Sequence, residues 1–455
     1  MTSFGRTRLA GAGLALLAAL AGGCAEPERR DWNVVVVMVD TLRADHLGAY
    51  GYRRDTSPVF DAFAAENVLF ADHRAQAPCT YPSVNSLLTS RSPQAFWGRS
   101  TGNLGLVEGM PSLATILNDL GHATIAISAS PVVRATPTHE NTVGGFGGGF
   151  DLFLERCLWN SGDCVHADAV PHLALVRQPF LMYLHYMDVH DPYRPPEEHR
   201  RFATSYGGDK PFVRDGDPNP IARMIYAGGP DLGLTDEDLR HLVDLYDDSI
   251  LYFDRHLGLL LAELAEQELL DETLIVVVAD HGESFLEHGA IKHCRNLHET
   301  EVRIPLAMRV PGLAGPVRIE GPTANLDVVP TILDLLGEDT SAYGFEGRSL
   351  RRAIERAEPV AGNVFARWGA SASAADGRYK LIANLGDKGL PKLYDLAADP
   401  AEETDVLDRE RRAFHRLSAD LEDWLAAVEP NARSRRNLER AQEQIRQLRA
   451  VGYLQ

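Results

Sequence analysis

The patterning of the chain predicts an α/β fold: a mostly parallel sheet sandwiched by helices, followed by a small C-terminal α+β subdomain. Three observations carry this. Two apolar runs rich in β-branched residues, NVVVVMV at 33–39 and LIVVVA at 274–279, are continuous rather than alternating, as strands buried on both faces are. Between them, helical and strand patterns alternate, as at 111–120 and 123–128, which implies βαβ units. From about residue 355 the pattern changes to short strands and one amphipathic helix.

Taken in order, residues 33–39 form a buried strand ending at Asp40, and 41–48 form a loop into Tyr50-Gly51-Tyr52. SPVFDAFAAE at 57–66 has helical spacing, with Ser before Pro at its start. A second helix begins near Pro82, its apolar face including Val84, Leu87 and Leu88. Thr80 then stands just ahead of a helix N-terminus, where backbone N–H groups favour an anion. A hydroxyl there is either a cap or a nucleophile. Residues 144–149 are a glycine patch, 180–184 a strand running into HYMDVHDPY, and 197–235 an irregular, Pro/Gly-rich surface excursion. A long helix over 235–267 precedes the strand that ends in Asp280-His281. A strand over 302–310, a helix over 327–336, short strands at 364–368, 378–384 and 392–396, and a helix over 411–428 complete the pattern.

Both long apolar strands deliver an Asp to their carboxyl ends, where open α/β sheets place ligands. A carboxylate beside an imidazole suits a divalent metal of intermediate hardness. The plain alternative for either stretch is a turn with a capping Asp and a solvated His. Finding the same arrangement twice argues against coincidence.

The 455 residues accommodate one large α/β domain and a smaller one. A formal net charge of −19 excludes a nucleic-acid-binding surface, and an anionic substrate would need a local attractor such as a bound cation. Arg6 and Arg8 precede an apolar run at 9–20 and then Ala21-Gly22-Gly23-Cys24, the composition of a secretory signal. The stretch resembles a bacterial lipobox with Cys24 as the acylated residue, although Ala21 replaces the more usual Leu. A cleaved signal or an uncleaved anchor are the alternatives; the run is shorter than the roughly 20 residues of a membrane span. The expectation is an exported lipoprotein facing the periplasm or cell surface, tethered by residues 25–32. Export permits disulfides. Cys157 and Cys164 lie close enough to close a small loop, and a disulfide or redox pair of Cys79 with Cys294 is a rival that nothing in the spacing requires.

Several stretches together resemble the sulfatase family of the alkaline-phosphatase superfamily: VVVVMVDTLRADHLGAYGY, TYPSVNSLLTS, HYMDVHDPY, YDDSILYFDRHLGLLLAEL, VVADHGESFLEHG, GRYKLIANL and LYDLAADPAEE, in the family's order. The resemblance implies an alkaline-phosphatase-like catalytic domain over 33–350 and a C-terminal subdomain over 351–430, leaving 431–455 as an exposed helical tail. It assigns Asp40, Asp280, His281 and Thr80 to metal-ligand positions and Thr80 also to the nucleophile. His190 and His293 match positions that contact the transferred group or a second metal, with His288 and Lys292 as substrate-binding neighbours. For a second ion the near candidates are Asp188, His190, His288 and His293.

The chain also departs from the family pattern. Thr80 replaces the Cys or Ser that becomes formylglycine, Val84 replaces the following Arg, and Thr41 replaces the second Asp of an Asp-Asp pair. Threonine cannot form the aldehyde hydrate that releases sulfate by elimination. With an imidazole ligand, zinc or manganese is favoured over calcium. The expected function is metal-dependent hydrolysis of a small-molecule, glycan or lipid phosphate ester, in preference to a sulfate ester. The alternatives are a phosphotransferase and a catalytically retired binding domain on a lipid anchor. Loops at 131–170 and 197–235 are expected to set the substrate.

Overall fold

In the computed structural model, which describes residues 1, 29–95, 105–106, 109–159, 162–386 and 389–428, the two apolar runs lie side by side. The strands are β1 (Asn33–Val39), β2 (Val68–Arg74), β3 (Ala123–Ser128), β4 (Leu152–Leu154), β5 (Phe180–Tyr186), β6 (Thr273–Ala279), β7 (Ser284–Phe285), β8 (Ile291–Lys292), β9 (Leu306–Arg309) and β10 (Val317–Ala324). Eight of them form one sheet in the order β10-β2-β9-β6-β1-β5-β3-β4, and β7 and β8 form a separate hairpin. Every pairing in the large sheet is parallel except those of β9 with β2 and β6.

Continuity of the apolar runs follows from their place. β1 and β6 are central, and all seven residues of each are buried. Each fully buried Val or Ile stabilises the fold by about 1.5–3 kcal/mol relative to exposure. The long helix Asp236–Glu266 starts with a capping box from Thr235 to Asp238 and packs on the helices Pro58–Glu66 and Gly162–Leu175. The helix Thr80–Thr89 packs instead against Val328–Leu335.

Several elements differ from expectation. The strand expected over 302–310 is only Leu306–Arg309, because Glu299–Val302 is helical and Pro305 lacks the N–H a ladder needs. The irregular stretch 197–235 contains two α-helices, Pro211–Arg214 and Asn219–Ala227, and a 3-10 turn at Glu197–His199. β2, β4, β7, β8 and β10 are additional to the expected strands, as is Ser371–Ala375 in the C-terminal subdomain. The lipobox with Cys24, residues 25–28 of the tether and the C-terminal tail lie outside the described residues. Among the described residues no helix is long and apolar enough to cross a membrane.

The C-terminal subdomain is an antiparallel sheet, β11 (Val364–Trp368), β12 (Ser371–Ala375), β13 (Tyr379–Asn384) and β14 (Lys392–Asp395), paired in that order. The helix Arg411–Val428 covers it, burying Phe414, Leu417, Leu421 and Leu425 against Leu381 and Leu393. Lys380 of β13 is fully buried and joins this subdomain to the larger one. Its Nζ lies 2.7 Å from Glu299 and 3.0 Å from Glu402, and Glu299 also pairs with Arg74 of β2. Replacing Lys380 with Met would leave buried carboxylates uncompensated. The expected loss is about 3–5 kcal/mol of unfolding free energy, read from urea denaturation.

Candidate active site

Because β1 and β6 run parallel with Val39 opposite Ala279, the residues that follow, Asp40 and Asp280, emerge together at the carboxyl edge. Asp280 Oδ1 accepts from the backbone N–H groups of Thr41 (3.1 Å) and His281 (2.8 Å). Its carbonyl accepts from Ser83 Oγ at 2.5 Å. Gly282 allows the turn that follows, since a Cβ there would strike the carbonyl of Thr300. The His281 Nδ1–H donates to the Gly282 carbonyl at 2.9 Å, which leaves Nε2 facing the carboxylates.

Thr80 is the first residue of its helix, with Cys79 as N-cap. Its hydroxyl does not cap the helix. Oγ1 sits 3.2 Å from His281 Nε2 and 3.4 Å from Asp40 Oδ2. Ligand atoms of Asp40, Asp280 and His281 lie within 4.8 Å of one another. Among the described residues Asp40 Oδ1 and Asp280 Oδ2 are buried without a hydrogen-bond partner. Buried carboxylate oxygens left bare in this way call for a cation.

A second group adjoins the first. His190, Asp191 and His293 bring ligand atoms within 4.8 Å of one another, and the His293 ring lies 4.7 Å from that of His281 and 4.8 Å from that of His190. His190 Nδ1 bonds to the Asp191 carbonyl at 2.6 Å and His293 Nδ1 to Glu283 at 3.2 Å, so both Nε2 atoms remain for the site. Lys292 reaches Asp191 at 3.1 Å and Asn219 at 2.9 Å, at the edge of the cluster. Asp188 does not join it: its Oδ1 accepts from the Gly162 N–H at 2.9 Å. Asp191 takes the place expected for Asp188.

His288 is also elsewhere. Left-handed backbone at Leu286 (φ 75°) and His288 (φ 53°) swings its ring onto that of His298, 3.5 Å between centroids, beside Glu402. That trio is already engaged: Glu402 accepts from His298 and the Glu299 N–H and pairs with Lys380. Both cysteine pairs form disulfides. Cys157–Cys164 closes the expected loop, while the pairing of Cys79 with Cys294, which the spacing gave no reason to expect, ties the residue before Thr80 to the residue after His293.

Three residues of the site escaped the sequence. His185 donates to Asp40 Oδ2 at 3.2 Å and receives the Tyr183 hydroxyl at 2.9 Å. Asp191 and Glu283 complete the second group. Their only signal was position: each lies within a stretch already singled out at the end of a buried strand. Arg43 pins the loops by bonding Asp45, Glu287 and the Glu283 carbonyl.

The electrostatics divide these groups. Burial and the charge of Asp40 push Asp280 up to about 6. Burial also opposes the charge on Asp40, but the His185 hydrogen bond and nearby histidines hold its carboxyl well below the usual range. His293 is driven well below its ordinary value by burial and by His281 and His190. His190 is raised: burial works against its charge, yet Asp191, Asp40 and Glu283 prevail. Burial and the Asp191 charge push Glu283 up to about 8.

The Sulfatase family model matches residues 32–338. The choline-sulfatase of Rhizobium meliloti (strain 1021) is 29% identical over 282 residues, 55% of this chain and 53% of that protein's length. Human arylsulfatase A is 25% identical over 464 residues, 87% of each chain. Among solved structures, BT4656 in complex with its substrate D-glucosamine-2-N,6-O-disulfate superposes with a TM-score of 0.72 at 18% identity, covering 90% of this chain and 99% of that one. The phosphonate monoester hydrolase of Agrobacterium radiobacter gives 0.70 at 20% identity, covering 88% and 95%.

The Glu283 shift sets a pH dependence in metal-free protein. The unfolded carboxyl loses its proton near 4.5 and the folded one near 8, so its contribution to stability is complete below about 4.5 and is lost as pH rises through 8. The melting temperature of chelated protein should fall between pH 5 and pH 9, and fall less in Glu283→Gln. Equal slopes for the two proteins would refute this.

Proposed function

We propose a reaction for a chain that belongs to the sulfatase family: hydrolysis of a phosphate-type ester through a covalent phospho-Thr80. The observation that carries this is the Thr80 hydroxyl, at a helix N-terminus and within 3.4 Å of both Asp40 and His281, beside two buried carboxylate oxygens with no hydrogen-bond partner among the described residues. Asp40, Asp280, His281 and Thr80 offer the donors of a divalent site, and the imidazole favours zinc or manganese over calcium. A cation held there would lower the pKa of the hydroxyl and offset charge on the transferred group.

Thr80 Oγ attacks phosphorus as the bond to the leaving oxygen breaks. The helix N-terminus supports the equatorial oxygens through its N–H groups. His190, beside the exposed Trp159, gives the leaving oxygen a proton; over the step, one proton passes from Thr80 to the leaving alcohol. Water then cleaves the phospho-threonine and restores the hydroxyl. Threonine lacks the geminal diol that expels sulfate, so phosphate-type esters are preferred to sulfates. The likeness in fold to a phosphonate monoester hydrolase supports that breadth. We also place the protein outside the cytoplasm, anchored through Cys24, because two disulfides suit an oxidising compartment.

Protein lacking residues 1–24 and loaded with Zn²⁺ or Mn²⁺ should hydrolyse an aryl phosphate monoester or diester faster than an aryl sulfate. Thr80→Ala should lower kcat by about 10³-fold or more, Thr80→Ser should retain part of it, and chelation should abolish it. Sulfate turnover that survives Thr80→Ala would sink the mechanism. No turnover and no retained metal would favour the binding domain. In whole cells, Cys24→Ser should move the protein from the membrane fraction to the soluble exported fraction; an unchanged distribution would refute the anchor.

A further inference from the structure

Trp159 is an unusual residue to leave at a surface. It is 38% exposed, and its neighbour Leu158 is 49% exposed. Its backbone is left-handed, φ 45°, a conformation that a bulky side chain rarely adopts unless its surroundings impose it. Those surroundings are identifiable. Cys157, two residues back, is buried and cross-linked to Cys164. The Trp159 N–H donates to the Ala129 carbonyl at 3.3 Å, and the Ala129 N–H donates to the His185 carbonyl at 3.1 Å. The segment carrying the indole is therefore tied to the carboxyl edge of the sheet, next to the histidine that holds Asp40.

The indole lies 5.3 Å from the His190 ring at an angle of 54°, and His190 lies 4.8 Å from His293. It stands beside the group that gives the leaving oxygen its proton in the proposed reaction. The acidic and histidine-rich cluster recognises the transferred group but offers little to an apolar leaving group. A rigid aromatic face supplies what it lacks: broad contact area at small entropic cost.

We propose that Trp159 is a specificity-determining residue whose ring stacks on the leaving group, selecting esters of alcohols that present a flat apolar face, either an aryl ring or the C–H face of a pyranose. This rests on the phosphate-ester reading of the site and adds the substrate class. The Cys157–Cys164 bridge holds the platform in place before substrate arrives.

Calorimetric titration of metal-loaded protein with methylphosphonate and phenylphosphonate, neither of which has an ester bond to cleave, tests the platform. Wild type should prefer phenylphosphonate. Trp159→Ala should weaken phenylphosphonate about tenfold and leave methylphosphonate unchanged, while Trp159→Phe should keep most of the preference. Glucose 6-phosphate titrated into Thr80→Ala with and without Trp159→Ala separates the two sources. A parallel loss assigns the ring to sugars as well, and no loss assigns it to aryl groups. A phenyl preference that survives Trp159→Ala, or an equal loss for both phosphonates, overturns the inference and leaves the proposed reaction standing. If wild type binds neither phosphonate, the proposed reaction falls with it.

Discussion

Two carboxylates buried side by side, Asp40 and Asp280, are the constraint around which this molecule is arranged. Parallel pairing of β1 with β6 puts them there, and burial removes the water that would screen them. Two like charges about 4 Å apart repel by about 4 kcal/mol even at an effective dielectric of ~20. The surroundings offset part of that cost. Two backbone N–H groups reach Asp280, His185 reaches Asp40, and the Thr80 helix points its N-terminus at the pair. One oxygen of each carboxylate still has no hydrogen-bond partner among the described residues. His281 Nε2 faces both of these oxygens, at 3.8 Å and 3.4 Å, and positive charge between the carboxylates would relieve the repulsion that remains.

The fold and the first half of the site were legible for one reason. A strand buried on both faces is a continuous apolar run, and its end is marked by the first charged residue, so Asp40, Asp280 and His281 announce themselves. β10 was hidden because Gly321 and Pro322 interrupt it, and its register shifts there. β12, SASAA, is made of small residues with no apolar signature. Past the strand ends, periodicity stops, and with it any means of telling which neighbouring carboxylate faces inward. Asp191 rather than Asp188 joins the histidines for that reason. His288 stands with His298 and Glu402 because two left-handed residues reverse the chain, a local choice that spacing does not reveal.

Thr80 shows how a family pattern and a departure from it combine. The position is set by the helix that begins there and by Cys79 immediately before it, cross-linked to Cys294. The side chain at that position decides the chemistry. A threonine hydroxyl is ready as translated and needs no oxidation, whereas the family's usual residue must first be converted to an aldehyde.

The Cys79–Cys294 bridge is held at both ends by the small C-terminal sheet. The Trp368 indole N–H donates to the Cys294 carbonyl at 2.8 Å, and the Arg367 N–H donates to the carbonyl of Gln76, three residues before Cys79, at 2.9 Å. Both donors lie on β11. A chain trimmed after residue 350 would keep every proposed ligand and the proposed nucleophile, yet lose the strand that braces them from outside. The seam between the two units is therefore a poor place to shorten the protein or to graft in a foreign tail, however separable the halves look in sequence.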